Sequence, residues 1–123
     1  MLEIIPFEEK HIIGLRLEGS IDNEGLERAF AKFREAFEGN DKIRVYVEVE
    51  GIGWESTETF FRNMKMKLDV LGEIGKFERE AVVSDKGWLE IATKIGDVLL
   101  PGIDVRHFPV ADKERALDWI RGA

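Results

Sequence analysis

Hydrophobic and polar positions alternate at two periods along the chain, and the switch between them lays out the elements. Leu2–Ile5 is a short apolar run closed by Pro6, which suits a first or edge strand. Ile13, Leu15 and Leu17 then alternate with Gly14, Arg16 and Glu18, so His11–Glu18 reads as a second strand. The charged turn Phe7–Lys10 joins the two as an antiparallel hairpin. From Gly19-Ser20-Ile21-Asp22 onward the period lengthens to that of a helix, with Ser20 or Asp22 as its cap. Leu26, Phe30, Phe33 and Phe37 form one stripe beside Ala29, and Gly39-Asn40 is expected to end the helix in left-handed backbone. That stripe is expected to pack on a sheet.

Ile43–Thr57 is the stretch around which the rest is organised. Val45, Val47 and Val49 alternate with Arg44, Tyr46, Glu48 and Glu50, the pattern of a central strand. Gly51 and Gly53 free the backbone to turn, and Ser56 is the natural N-cap of a helix over Thr57–Leu71. In that helix Phe60, Phe61, Met64, Leu68 and Leu71 share an arc of about 100°. Met66 and Val70 fall off it, while Arg62, Lys65 and Lys67 face Glu58 and Asp69. Roofing a sheet requires only one apolar stripe. The surplus is either stray surface apolar residues beside a core stripe, which are common, or the mark of a helix that gates an apolar pocket or touches a membrane surface.

Phe77–Val83 is a further strand, and Ser84–Gly87 turns into a helix with Trp88, Ala92, Ile95 and Leu99 in register. Pro101-Gly102 precedes a last strand over Ile103–Phe108. Asp112 caps a closing helix bearing Ala116, Leu117 and Ile120. The order ββαβαβαβα implies right-handed crossovers and a mostly parallel sheet covered by about four helices.

Composition narrows the chemistry. A chain of 123 residues fits one domain over 1–123, and 44% hydrophobic content supplies a core. Its 18 basic residues against 25 acidic ones leave a net charge of −7, which argues against a nucleic-acid-tracking face. No cysteine is present, so thiolate chemistry and disulfides are excluded. Nothing in the sequence reads as a signal or a membrane span, and the expectation is a cytoplasmic protein. His11 and His107 are the only histidines; neither sits in a nucleophile motif, and His107 with Asp104 is too sparse for a metal. Gly51-x-Gly53 lacks the third glycine of a dinucleotide fingerprint. The residues therefore point to no enzyme, metal or cofactor. At the helix start, Ser56 and Thr57 sit where free N–H groups favour an anion, so they are candidate phospho-sites beside the plainer capping role.

Gly51-Ile52-Gly53-Trp54 after the third strand, Ala81–Leu89, Val105–Pro109 and Glu114–Ile120 together resemble the bacterial SpoIIAA-like family across essentially the whole chain. That family is similar to the STAS domains of anti-sigma-factor antagonists and sulfate transporters, and to the lipid-binding CRAL-TRIO/SEC14 fold. The resemblance implies a five-stranded mixed sheet with four main helices. It also implies a non-enzymatic carrier of a nonpolar, lipid-like molecule with peripheral membrane association. Trp54, Phe60, Phe61, Met64 and Leu68 are then the ligand-contacting residues, and Arg62, Lys65, Met66 and Val70 the membrane or partner face. The alternative is a STAS-type regulatory switch in which Ser56 matches the phosphorylated serine and binds a regulatory protein. Glu58 stands where that motif has glycine, and its charge opposes an added phosphate. An exposed strand edge leaves room for a homodimer.

Overall fold

The computed structural model describes residues 1–50, 54–85 and 103–122, and the side chains of all of these except 54–58. The strands are β1 (Leu2–Ile5), β2 (Ile12–Glu18), β3 (Ile43–Glu50), β4 (Phe77–Val83) and β5 (Asp104–Phe108). They form one sheet in the order β1-β2-β3-β4-β5. β1 runs antiparallel to β2, and the remaining neighbours are parallel. The described α-helices are α1 (Asn23–Gly39), α2 (Trp54–Val70) and α3 (Lys113–Arg121), and short 3-10 turns lie at Ile74–Lys76 and Val110–Asp112. The helix expected over Trp88–Leu99 lies outside the described residues. Five strands, mixed but mostly parallel, match the architecture read from the sequence.

Each face of the sheet has its own core. α1 and α2 cover one face, where Phe33, Phe37, Phe60, Phe61, Met64 and Leu68 meet Ile13, Leu15, Val45, Val47 and Val82. On the other face Ala116 and Ile120 of α3 meet Ile12, Tyr46, Ala81 and Val83. β3 is covered on both sides, which is why every residue from Ile43 to Val49 is buried despite its alternating pattern. Its polar side chains are satisfied within the α3 face. Arg44 donates to Glu78 at 2.8 Å and to the backbone carbonyls of Ile120 and Gly122. The Tyr46 hydroxyl donates to Glu48 at 3.0 Å, and Lys113 lies 3.3 Å from the same carboxylate.

Of the two expected caps of α1, Asp22 takes the role, its carboxylate accepting from Gly25 N–H at 2.8 Å. Several other local expectations are corrected. That helix does not end in left-handed backbone. Asn40 is extended, and its side-chain amide donates to the Ala36 carbonyl at 2.8 Å, satisfying an orphan acceptor directly. α2 begins at Trp54, so Ser56 lies inside the first turn rather than at the cap; capping preferences of about 1 kcal/mol do not outweigh the packing that places a helix. Leu71, expected in the buried arc, is 39% exposed, because α2 stops at Val70 and Gly72 takes φ 70°. Asp112 stands at the α3 cap without a capping hydrogen bond, its carboxylate lying 3.6 Å from Arg115 instead.

A bulge links this fold to the site. Ile43 pairs with Phe77 but Arg44 pairs with Arg79, so Glu78 is an extra residue in β4. The bulge turns Glu78 toward Arg44 and reverses the alternation beyond it. Phe77 and Glu80, three residues apart, therefore both face α1 and α2.

Candidate functional site

α2 and the sheet enclose a small apolar cavity. The buried stripe of α2 falls at Phe60, Phe61, Met64 and Leu68, the spacing of one helical face. The Phe60 and Phe61 rings meet edge-on at 5.5 Å. Phe61, Met64 and Leu68 look onto a cavity of about 40 Å³ closed by Phe33 of α1, Val45 of β3, Phe77 and Glu80 of β4, Ile74 and Ile103. Lys65 stands on its wall as well. Ligand pockets usually measure about 300–1,000 Å³, so the space is small for a ligand site. Phe60 turns away from this cavity. It borders a groove of about 370 Å³ between the N-terminal end of α1 and α2, lined also by Ser20, Asp22, Asn23, Thr59 and Asn63. The groove is larger and of mixed polarity, with Ile21 and Leu26 also on its walls; the cavity is smaller and almost wholly apolar.

Glu80 is the unusual member. Its side chain is 2% exposed, and its Oε2 has no hydrogen-bond partner among the described residues. Its strand neighbours on that face are Val45 and Val105. Burial among hydrocarbon walls pushes its carboxyl up to about 8, so it is mostly protonated at neutral pH. An orphaned polar atom in such a place costs about 1–3 kcal/mol, more if charged.

The outward face of α2 carries the surplus apolar residues. Met66 and Val70 are exposed at 64% and 87%. Arg62 is exposed and Lys65 half-buried on the same helix. Lys67 is committed elsewhere. It reaches Glu27 of α1 at 2.7 Å and lies 5.3 Å from the Phe30 ring centroid, which ties the two helices together. The other basic residues of α2 are Arg62 and Lys65. The side chains of Trp54, Ser56 and Thr57 lie outside the described residues. Of the two histidines, His107 places Nε2 2.9 Å from the Ser84 carbonyl, where it joins the ends of β4 and β5.

The sites predicted from the sequence thus separate in space. Phe61, Met64 and Leu68 gather at the cavity, Phe60 borders the groove, and Met66 and Val70 face outward. Glu80 went unread in the sequence. The available signal was an acid inside a strand expected to be covered on both faces.

A family model described as SpoIIAA-like matches residues 12–121, nearly the full sheet and its helices. The chain belongs to the SpoIIAA-like family. A solved structure supports the same fold for this SpoIIAA-like chain: an uncharacterised protein of the DUF3478 family with a SpoIIAA-like fold from Shewanella loihica PV-4. It superposes with a TM-score of 0.63 at 21% identity, covering 98% of this chain and 92% of the other. No curated protein matches the SpoIIAA-like chain.

Proposed function

We propose that this SpoIIAA-like domain is a non-enzymatic binder of a nonpolar, lipid-like molecule, held between α2 and the sheet. The observation that carries the reading is the apolar cavity walled by Phe33, Val45, Phe61, Met64, Leu68 and Phe77. Apolar space with few polar anchors is what such ligands occupy. α2 is the element that moves. Met64 on its inner face is unbranched and repacks at low cost, and a glycine turn at Gly72 follows the helix. The exposed Met66 and Val70, with Arg62 and Lys65 beside them, give the same helix a face for a membrane surface during loading.

The test is uptake of Nile red, a neutral apolar dye, together with native mass spectrometry of the purified protein for a retained acyl compound. The wild-type chain is expected to bind the dye saturably. Met64→Trp, which fills the cavity, is expected to weaken binding at least tenfold while keeping a cooperative unfolding transition. Overpacking of this kind costs about 1–3 kcal/mol, so that transition also reports whether the variant folds. Equal affinity in a folded Met64→Trp chain would overturn the reading.

A further inference from the structure

We propose that the cavity under α2 takes an amphiphile with a protonated primary amine on an alkyl body, and that Glu80 is its anchor. The inference rests on the apolar-carrier reading above and specifies the head group of the guest.

Three head groups are to be compared at the buried carboxyl. A pure hydrocarbon leaves Oε2 with no donor, so the cost of burying that atom stays in full. A fatty acid sets a second carboxyl against Glu80 in low dielectric, and like charges there disfavour one another. An ammonium supplies three donors and the opposite charge, the pairing that buried carboxylates ordinarily find. Among the described residues, the surroundings leave that role to the guest. α1, β3 and β5 present Phe33, Val45 and Val105 to this region. The 3-10 turn presents Ile74, and the flanking Lys76 and Glu73 pair with each other at 2.8 Å. Among the described residues the other charged group on the cavity wall is Lys65 of α2, itself an ammonium on an alkyl stem. The alkyl body of the guest then lies along Phe61, Met64 and Leu68.

The pairing moves a proton. Glu80 is mostly protonated below about pH 8, whereas its partner in the complex is an alkylammonium. Binding R–NH₃⁺ therefore converts the carboxylic acid to a carboxylate and releases its proton to bulk water. No bond other than that O–H is broken. Proton release is a signature that an apolar groove or a surface charge effect does not produce.

Isothermal titration calorimetry at pH 7, in two buffers of different protonation enthalpy, separates the cases with octylamine, octan-1-ol and octanoate as probes. The expected result is octylamine binding at least tenfold tighter than octanoate, with release approaching one proton. Glu80→Leu, which suits the apolar wall, is expected to abolish both the amine preference and the proton release while still binding octanol. Glu80→Gln is expected to keep weak amine binding without proton release. The net charge of −7 attracts any cation, and it changes by only one unit in these variants, so a surface effect survives them. Octanol binding with no amine preference and no proton release in the wild-type chain would overturn the inference and leave the carrier reading standing. Failure of all three probes, together with failure of Nile red, would remove the carrier reading itself.

Discussion

Glu80 sets a pH dependence that runs against the usual direction for acids. Its ordinary value is 4.5 in the unfolded chain and it is raised to about 8 on folding. The folded state therefore holds more protons between those values, and stability falls as pH rises through that window. Each unit of displacement corresponds to about 1.4 kcal/mol. Urea midpoints at pH 5, 7 and 9 are expected to decline for the wild-type chain. Glu80→Leu is expected to flatten the slope and to be the more stable chain at pH 9, by an amount of order a few kcal/mol. A wild-type profile with no decline would mean the acid is paired. A second residue-scale case is Gly14 in β2. A Cβ there would meet the Ile5 carbonyl and the Phe7 ring, both at 2.6 Å. Gly14→Ala forces the β1 hairpin to shift, and a loss of about 1–3 kcal/mol in thermal or urea unfolding is expected. Neither residue announces its role by type. Strict alternation from Phe77 would put Glu80 opposite that ring, and only the bulge at Glu78 brings the two to one side.

At the scale of elements, α2 has two apolar faces. Its inner side chains are buried over the sheet, and its outer side shows Met66 and Val70 to solvent. The spacing in Thr57–Leu71 already sets Met66 and Val70 apart from the buried arc, because helical periodicity separates the two faces. Periodicity does not fix where a helix stops, and that is why Leu71 was assigned to the core. One more residue of helix would have kept it there; the turn at Gly72 carries it outward. Membrane contact belongs to this scale. Met66→Glu with Val70→Glu is expected to reduce co-sedimentation with phosphatidylglycerol-containing vesicles severalfold while leaving the unfolding midpoint within about 0.5 kcal/mol, as surface changes usually do. Unchanged sedimentation would separate α2 from any membrane role. For α1, Asp22→Ala removes a cap and is expected to cost about 1 kcal/mol in urea unfolding.

For the whole molecule, the strand order, the mixed sheet and the central place of β3 were legible because each follows from alternating periods and short right-handed crossovers. The partners of the polar half of β3 were less so: Arg44, Tyr46 and Glu48 are buried against α3 and satisfied through Glu78, Lys113 and the Ile120 carbonyl. Such pairing joins residues as much as 76 positions apart, which local pattern does not carry. The arc of Phe61, Met64 and Leu68 is legible as a buried stripe from helical spacing. The separation of Phe60 into the groove required the packing of α1 beside α2.

The strands follow one another across the sheet with no reversal, and this governs how a guest would enter and leave. Open sheets commonly receive ligands at a crevice where neighbouring crossovers diverge to opposite sides. Among the described residues α1 and α2 lie side by side over one face, so the proposed guest would enter by parting those helices. The Lys67–Glu27 contact spans that seam, and as a half-exposed ion pair it weakens with salt. Residence time, rather than affinity, is then the quantity that ionic strength would tune.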